Sequence, residues 1–355
     1  MVTCRRLEVL SFSVIANVLT LWLLSLLPAS ANSAESVVFP VVSGDVSVKE
    51  KYGAMDDGKT DDTAAFQMAM ADGVRNLYLP AVRYLLSDSI VVGGKWCQWQ
   101  GENEATTVLK LQDRAAGFDH VEQPKPFVST FAAFRDPKAA MGQAFRNSLF
   151  NLTIDVGAGN PGAVALHYIN NNQGTVRDVT PRSSVPQPVG KAGLALVTNW
   201  PGPAYIHRVT IDGFDIGLWS ANSQFSFVCE HLRLSGQSVV GIENIAQMLS
   251  IRKLVSSNLV PALRTRGNAG FLMLLDAELN GGDSKAYAIE AVENSTLIVE
   301  RLKTSGYGTA IRATSHGKTR EINASVVASV VNDPVLPLNP NASVAPVARL
   351  KRLPS

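Results

Sequence analysis

The sequence predicts an all-β protein, a single-stranded right-handed parallel β-helix with an N-terminal helix cap. Three observations predict it. A motif recurs every 22 to 25 residues, apolar and polar residues alternate inside each copy, and a turn-forming residue closes each copy at the same place.

The repeat is clearest in residues 207–213, 230–236, 252–258, 275–281 and 300–306, which align without gaps. Their third positions, Val209, Leu232, Leu254, Ala277 and Leu302, follow one another at 23, 22, 23 and 25 residues. Looser copies stand at residues 150–155 and 177–180. Alternation of period two is the mark of a half-buried strand. The seventh positions are Gly213, Gly236, Asn258, Gly281 and Gly306, residues that tolerate a left-handed backbone, so a sharp turn is expected there. Eight to eleven residues after each third position comes a small-apolar pair: Gly217-Leu218, Gly241-Ile242, Ala262-Leu263, Ala288-Ile289 and Ala310-Ile311. One coil therefore holds at least two strands, and stacked coils share one core. A leucine-rich horseshoe lacks its consensus here, and propeller blades need longer repeats.

The remaining segments follow in chain order. Arg5 and Arg6 precede an apolar run over residues 9–27, then Ala29 and Ala31 with one residue between them. This is the form of a secretory signal over residues 1–31, with an uncleaved anchor as the alternative. Residues 32–332 are assigned to the β-helix. Within them, residues 61–72 supply a cap helix, with Asp61 or Asp62 at its N-terminus and Phe66, Ala69 and Met70 on one face. Residues 333–355 contain five prolines and no periodicity, which reads as a tail or linker.

Composition narrows the function. The 355 residues are 17% charged with a formal net charge of +2, so no electrostatic footprint for nucleic acid exists. After signal cleavage no second apolar run is long enough for a membrane span. Cys97 and Cys229 lie 132 residues apart, in segments placed several coils from each other, and are not expected to pair. No zinc-type spacing occurs, so neither a metal nor a cofactor is expected.

Residues 48–67 read Val-Lys-Glu-Lys-Tyr-Gly-Ala-Met-Asp-Asp-Gly-Lys-Thr-Asp-Asp-Thr-Ala-Ala-Phe-Gln. The stretch resembles the opening of the pectate lyase superfamily domain, whose pattern is roughly GAxxDGxxDDTxAFQ. Residues 78–84 resemble that family's YxPAGxY strand motif, with Val82 where glycine is usual. Residues 151–162 and onward look like the first β-helix of glycoside hydrolase family 55, whose members cleave β-1,3-glucan and carry two β-helices; this chain has room for one. That family often carries a His-aromatic-Gln-x-x-Gln stretch that positions the attacking water. Here His167-Tyr168 is followed by Ile169 and Asn172 at the glutamine positions. The resemblance thus implies Tyr168 and Asn172 as substrate contacts. Asp56, Asp57, Asp61 and Asp62 look like a calcium cluster, but turn and helix-cap roles account for them.

Aligned coils sort the outward residues into columns. The second position reads Asn151, Asp178, Arg208, His231, Lys253, Asp276, Arg301; the fourth reads Thr153, Thr180, Thr210, Arg233, Val255, Glu278, Lys303; the sixth reads Asp155, Arg182, Asp212, Ser235, Ser257, Asn280, Ser305. Asp276 between Lys253 and Arg301, and Glu278 beside Lys303, suit a solvated ladder worth ~0.2–1 kcal/mol per pair. Glu278 stays a carboxylate candidate. Asp155 and Asp212 are stronger ones, being two coils or about 10 Å apart; inverting glycosidases hold their carboxyls about 6.5–9.5 Å apart. Arg182 between them would keep both ionised and contact substrate. Trp200, in a Pro-Gly turn, is a candidate sugar platform, the alternative being that it packs on the loop beside it.

These readings describe a secreted carbohydrate-active protein that acts on a polysaccharide or cell-wall glycan, most simply as a glycoside hydrolase. A lyase would want calcium on carboxylates in adjacent coils of one column, and no column supplies them. The rival readings are a non-catalytic glycan-binding or cell-surface module, a polysaccharide lyase, and half of a two-helix enzyme.

Overall fold

The computed structural model describes residues 44–92, 96–132, 134, 144–183, 190–222, 226–267, 270–293, 295–315 and 317–332. The expected signal segment and the proline-rich tail lie outside these residues. The rest is a right-handed parallel β-helix.

Each coil has three sides. The coil of Gly174–Arg182 and Ala192–Leu196 shows the plan. One long strand forms two sides, because it bends at Asp178; the third side is Ala192–Leu196 in the opposite sheet. The coil after it repeats this with Ala204–Asp212 and Ile216–Ala221. Neighbouring coils pair in parallel, Val179 beside Val209 and Leu194 beside Leu218. The small-apolar column stacks as expected, Leu218, Ile242, Leu263, Ile289 and Ile311 in successive register. Val209, Leu232, Leu254, Ala277 and Leu302 are buried in the same core. The three outward columns also hold their register: Arg182 lies between Asp155 and Asp212, and Glu278 lies beside Lys303.

The second position is different from expectation. It is not a flat strand residue. Asn151, Asp178, Arg208, His231, Lys253, Asp276 and Arg301 all have φ between 50° and 57°. The left-handed residue shifts the alternation by one, so Ile206 points inward, His207 and Arg208 both point out, and Val209 points inward again. The strand thereby turns a corner while both halves keep an apolar face on the core. The seventh-position turn is left-handed at Gly213, Gly236 and Gly306 only. At Gly281 a different constraint acts: a Cβ there would stand 2.6 Å from the Tyr307 ring.

Both ends are covered. At the N-terminal end the helix Thr63–Ala71 lays Phe66 and Ala69 on the core, with Met70 partly buried. Asp61, not the N-cap residue Asp62, accepts the Thr63 N–H at 3.0 Å. Asp62 instead accepts from the Met55 N–H at 2.7 Å, and Asp57 accepts from the Lys59 and Thr60 N–H groups. The opening aspartates are thus turn and loop ties. At the C-terminal end Lys318–Ile322 and Val326–Val331 fold back antiparallel on the last coil, a cover the repeat did not announce. Cys97 and Cys229 are both buried and are not joined in a disulfide.

Candidate active site at the bend corner

The sequence-predicted residues fall on different corners of the coil. Asp155 is 1% exposed; its carboxylate accepts from the Gly157 N–H at 2.9 Å and from Arg182 Nε at 3.2 Å. Its place on an outward column is therefore corrected: the turn after the strand wraps it, and both oxygens are engaged. Asp212 is exposed and accepts from the Ser235 hydroxyl at 2.9 Å. Trp200 and Asn172 sit at the opposite corner, both with left-handed φ, and the Asn171 amide donates to the Trp200 carbonyl at 3.2 Å. Trp200 is 45% exposed. Tyr168 is a correction: it is fully buried, its hydroxyl donating to the Asn147 carbonyl at 2.7 Å, and it offers no ring face to a sugar. Strand alternation at residues 163–167 breaks at the turn, which sends Tyr168 into the core. Glu278 is exposed and paired to Lys303 at 3.1 Å.

The bend column and the residues beside it gather a run of titratable groups. Asp178 is buried, and Arg208 of the next coil forks it, Nε to Oδ1 at 2.5 Å and Nη2 to Oδ2 at 2.7 Å. The loop between Gln98–Gly101 and Val108–Leu111 folds over this corner because Thr153 Oγ1 donates to the Glu104 carbonyl at 2.7 Å. It brings the Glu104 carboxylate onto the Thr180 hydroxyl. Burial pushes the Glu104 carboxyl above its ordinary range, and nearby Asp178 adds to the rise, against the Thr180 bond. Further along, Tyr205 donates to Glu230 Oε2 at 2.6 Å. That bond holds Glu230 below the ordinary carboxylate value. His207 stacks on Tyr205 and meets the His231 ring edge-on. Burial lowers both histidines, helped by Arg208 at His207 and by Lys253 at His231.

From His231 a groove of about 530 Å³ runs along the axis, lined by Arg233, Lys253, Asp276, Arg301 and Lys303 among others. Asp276 is held by Arg252 and Arg301. Arg233 and Lys253 have no ion pair among the described residues. The groove is therefore cationic on balance, and His231 at its end adjoins Glu230.

Sequence reading missed Glu104, Glu230 and the histidines. Glu104 lies outside the repeat, so no column contains it. The others carried a signal: two outward polar residues in succession, Arg177-Asp178, His207-Arg208 and Glu230-His231, where strict alternation allows one. Among the described residues no group of three or more His, Cys, Asp or Glu could hold a metal.

The opening motif and the coils now have a counterpart. A family described as Rhamnogalacturonase A/epimerase, pectate lyase-like, matches residues 46–259. The chain belongs to this family. Among solved structures, Geobacillus virus E2 ORF18 is similar over 81% of this chain and 63% of its own, at 12% identity and a TM-score of 0.49. Bacteriophage phi29 gene product 12 is similar over 73% and 42%, at 14% identity and 0.46. The catalytic unit of a GH87 α-1,3-glucanase from Streptomyces thermodiastaticus is similar over 81% and 68%, at 14% identity and 0.42. The chain thus spans 63% and 42% of the length of the first two. At such identities the likeness is one of fold. No curated protein matches the sequence.

Proposed function

We propose that this family member is an exported enzyme that hydrolyses a polysaccharide carrying acidic sugars, at the bend corner. One observation carries the reading: two carboxyls with opposite tendencies, Glu104 raised by burial and Glu230 lowered by Tyr205, flank the Asp178–Arg208 pair. Environments that push two carboxyls apart suit an acid and a base. Thr180, which meets the Glu104 carboxylate, lies two coils before Arg233, and Glu230 lies in the coil of Arg233 on the other side of the bend, so a glycan laid along the axis would pass both carboxyls. Glu104 donates its proton to the glycosidic oxygen as the C–O bond breaks. Water adds to the anomeric carbon and yields its proton to Glu230. Asp178, beside Glu104, adds to the upward shift that burial gives the Glu104 carboxyl. Arg233 and Lys253 suit carboxylates on the glycan, which agrees with a family named for a rhamnogalacturonase. Export rests on the leader; among the described residues no helix is long and apolar enough to cross a membrane.

The test is a panel of acidic and neutral polysaccharides, followed by reducing ends and by the ultraviolet absorbance of unsaturated uronate. Reducing ends that vanish in Glu104→Gln support hydrolysis. Unsaturated product would make the protein a lyase. Binding without product would leave the glycan-binding module, a reading favoured by the ion pairs that already occupy Asp178, Asp276 and Glu278.

A further inference from the structure

A second groove lies on the other side of the same strands, at the corner that leads into the opposite sheet. Its volume is about 780 Å³, and Ser183, Asp212, Ser257, Asn280, Leu259 and the glycine column at 213, 236 and 281 line it. It shares no residue with the bend groove.

Its chemistry is the reverse of its neighbour's. Among the described residues no lysine or arginine lines it, and Asp212 is the one charged residue. The other polar groups are hydroxyls and amides. Ser183 is the informative one. It is 9% exposed, yet among the described residues its hydroxyl has no hydrogen-bond partner. A buried hydroxyl left unpaired costs about 1–3 kcal/mol, which a ligand oxygen would recover. Asp212 uses one carboxylate oxygen on Ser235, which leaves Oδ2 to accept from a ligand. Asn280, which lines the groove, accepts from Ser305 through Oδ1, which leaves its amide hydrogens to donate.

The floor is backbone. Gly213 and Gly236 have left-handed φ, and the Ser183 and Asp212 side chains lie against them. A Cβ at Gly282 would stand 2.2 Å from the Leu259 side chain, so glycine there lets Leu259 lie across the groove. Leu259 is 72% exposed and adjoins Val260, an apolar edge beside a row of hydroxyl and amide groups. Asp212, Ser235, Ser257 and Asn280 are consecutive in register, so the row spans about 14 Å.

We infer that this groove is a second binding site, for a neutral oligosaccharide. A carboxylate, hydroxyls and an amide match vicinal sugar hydroxyls, and the Leu259 edge matches the C–H face of a pyranose. An anionic glycan would bring its charge to Asp212, where the neighbouring cation, Arg182, is already engaged by Asp155. The site does not depend on the chemistry proposed at the bend corner. It would hold a neutral stretch or branch of a glycan while the cationic groove holds charged residues.

The test is calorimetric titration of the full chain with cellohexaose, laminarihexaose and mannohexaose, with trigalacturonate as the charged probe. At least one hexasaccharide binds. Asp212→Ala and Ser257→Trp each weaken that binding at least tenfold, while trigalacturonate affinity stays unchanged. Ser257 is exposed on its strand, and a melting temperature within a few degrees of the parent confirms that the tryptophan variant folds. Glu104→Gln, which tests the bend corner, leaves hexasaccharide affinity as it was, so the two readings fail separately. The inference is overturned if none of the three hexasaccharides binds, if binding survives both variants, or if trigalacturonate displaces the hexasaccharide.

Discussion

Arg208 holds Asp178 across one coil through two parallel bonds of 2.5 and 2.7 Å, and both residues occupy the same left-handed bend position in neighbouring coils. The pair is asymmetric. The Asp178 side chain is 6% exposed, whereas that of Arg208 is 39% exposed. Removing the arginine therefore leaves a buried carboxylate with Arg177, 3.4 Å from Oδ2, as its remaining ion partner among the described residues. Arg208→Ala is expected to lower unfolding stability by about 2 kcal/mol, less than a fully buried pair would cost because water reaches the guanidinium. Arg208→Lys, a single donor, should recover less than half of that. Urea denaturation measures both, and a neutral Arg208→Ala would refute the assignment.

The bend itself stores strain wherever its residue is neither glycine nor asparagine. Lys253 has φ 57° and no ion pair among the described residues, so it isolates the backbone cost. Lys253→Gly should stabilise by about 0.5–1 kcal/mol, because glycine adopts this conformation freely. Lys253→Val should destabilise by about 1 kcal/mol or more, since a β-branched residue fits it worst. The order Gly, Lys, Val in thermal unfolding checks the claim; Val above Lys contradicts it.

The repeat made the solenoid legible before any coordinates, because solenoid contacts are local in the sequence: Leu232, Leu254 and Leu302 meet their neighbours one period away. The outward columns were legible for the same reason. The bend was written in the sequence as well, as paired outward residues such as Glu230-His231, but a strict period of two hides it. Tyr168 was misread because an aromatic beside a histidine fits both a platform and a core corner; its hydrogen bond to Asn147 decides. Glu104 was beyond reach, since its position depends on a loop seated by Thr153, 49 residues away.

If Glu104 is the acid and Glu230 the base, the pH profile of kcat/KM is a bell on the acidic side. Its acid limb follows Glu230, held below 4.5, because the base is lost when protonated. Its alkaline limb follows Glu104, raised above 4.5, because the acid is lost when ionised. Glu104→Gln should cut kcat by 10²-fold or more with KM little changed. Proton NMR of the first product should show inversion at the anomeric carbon. Retention would remove the Glu104–Glu230 pairing.

A last expectation concerns stability at low pH and a histidine remote from the bend. His167 is fully buried between the Ser129 hydroxyl, 2.7 Å from Nδ1, and the Thr198 hydroxyl, 2.9 Å from Nε2, with the Phe134 ring edge-on. Burial drives its pKa down from 6.5 to about 3. In the unfolded chain the ring takes up a proton once the pH falls below 6.5, while in the folded protein it stays neutral until about 3. Between those values the unfolded state binds more protons, so folding stability rises with pH across that window and is lost as pH falls. One fully depressed group contributes a slope of about 1.4 kcal/mol per pH unit at most. His167→Gln keeps a donor and an acceptor for the two hydroxyls but cannot titrate. Its stability at neutral pH should be lower by about 1–2 kcal/mol, from imperfect geometry in a packed site. Between pH 6.5 and 3, however, its melting temperature should fall less steeply than the parent's. Parallel curves for the two proteins would mean that His167 is not buried neutral, and that the coil around it opens before the ring is charged.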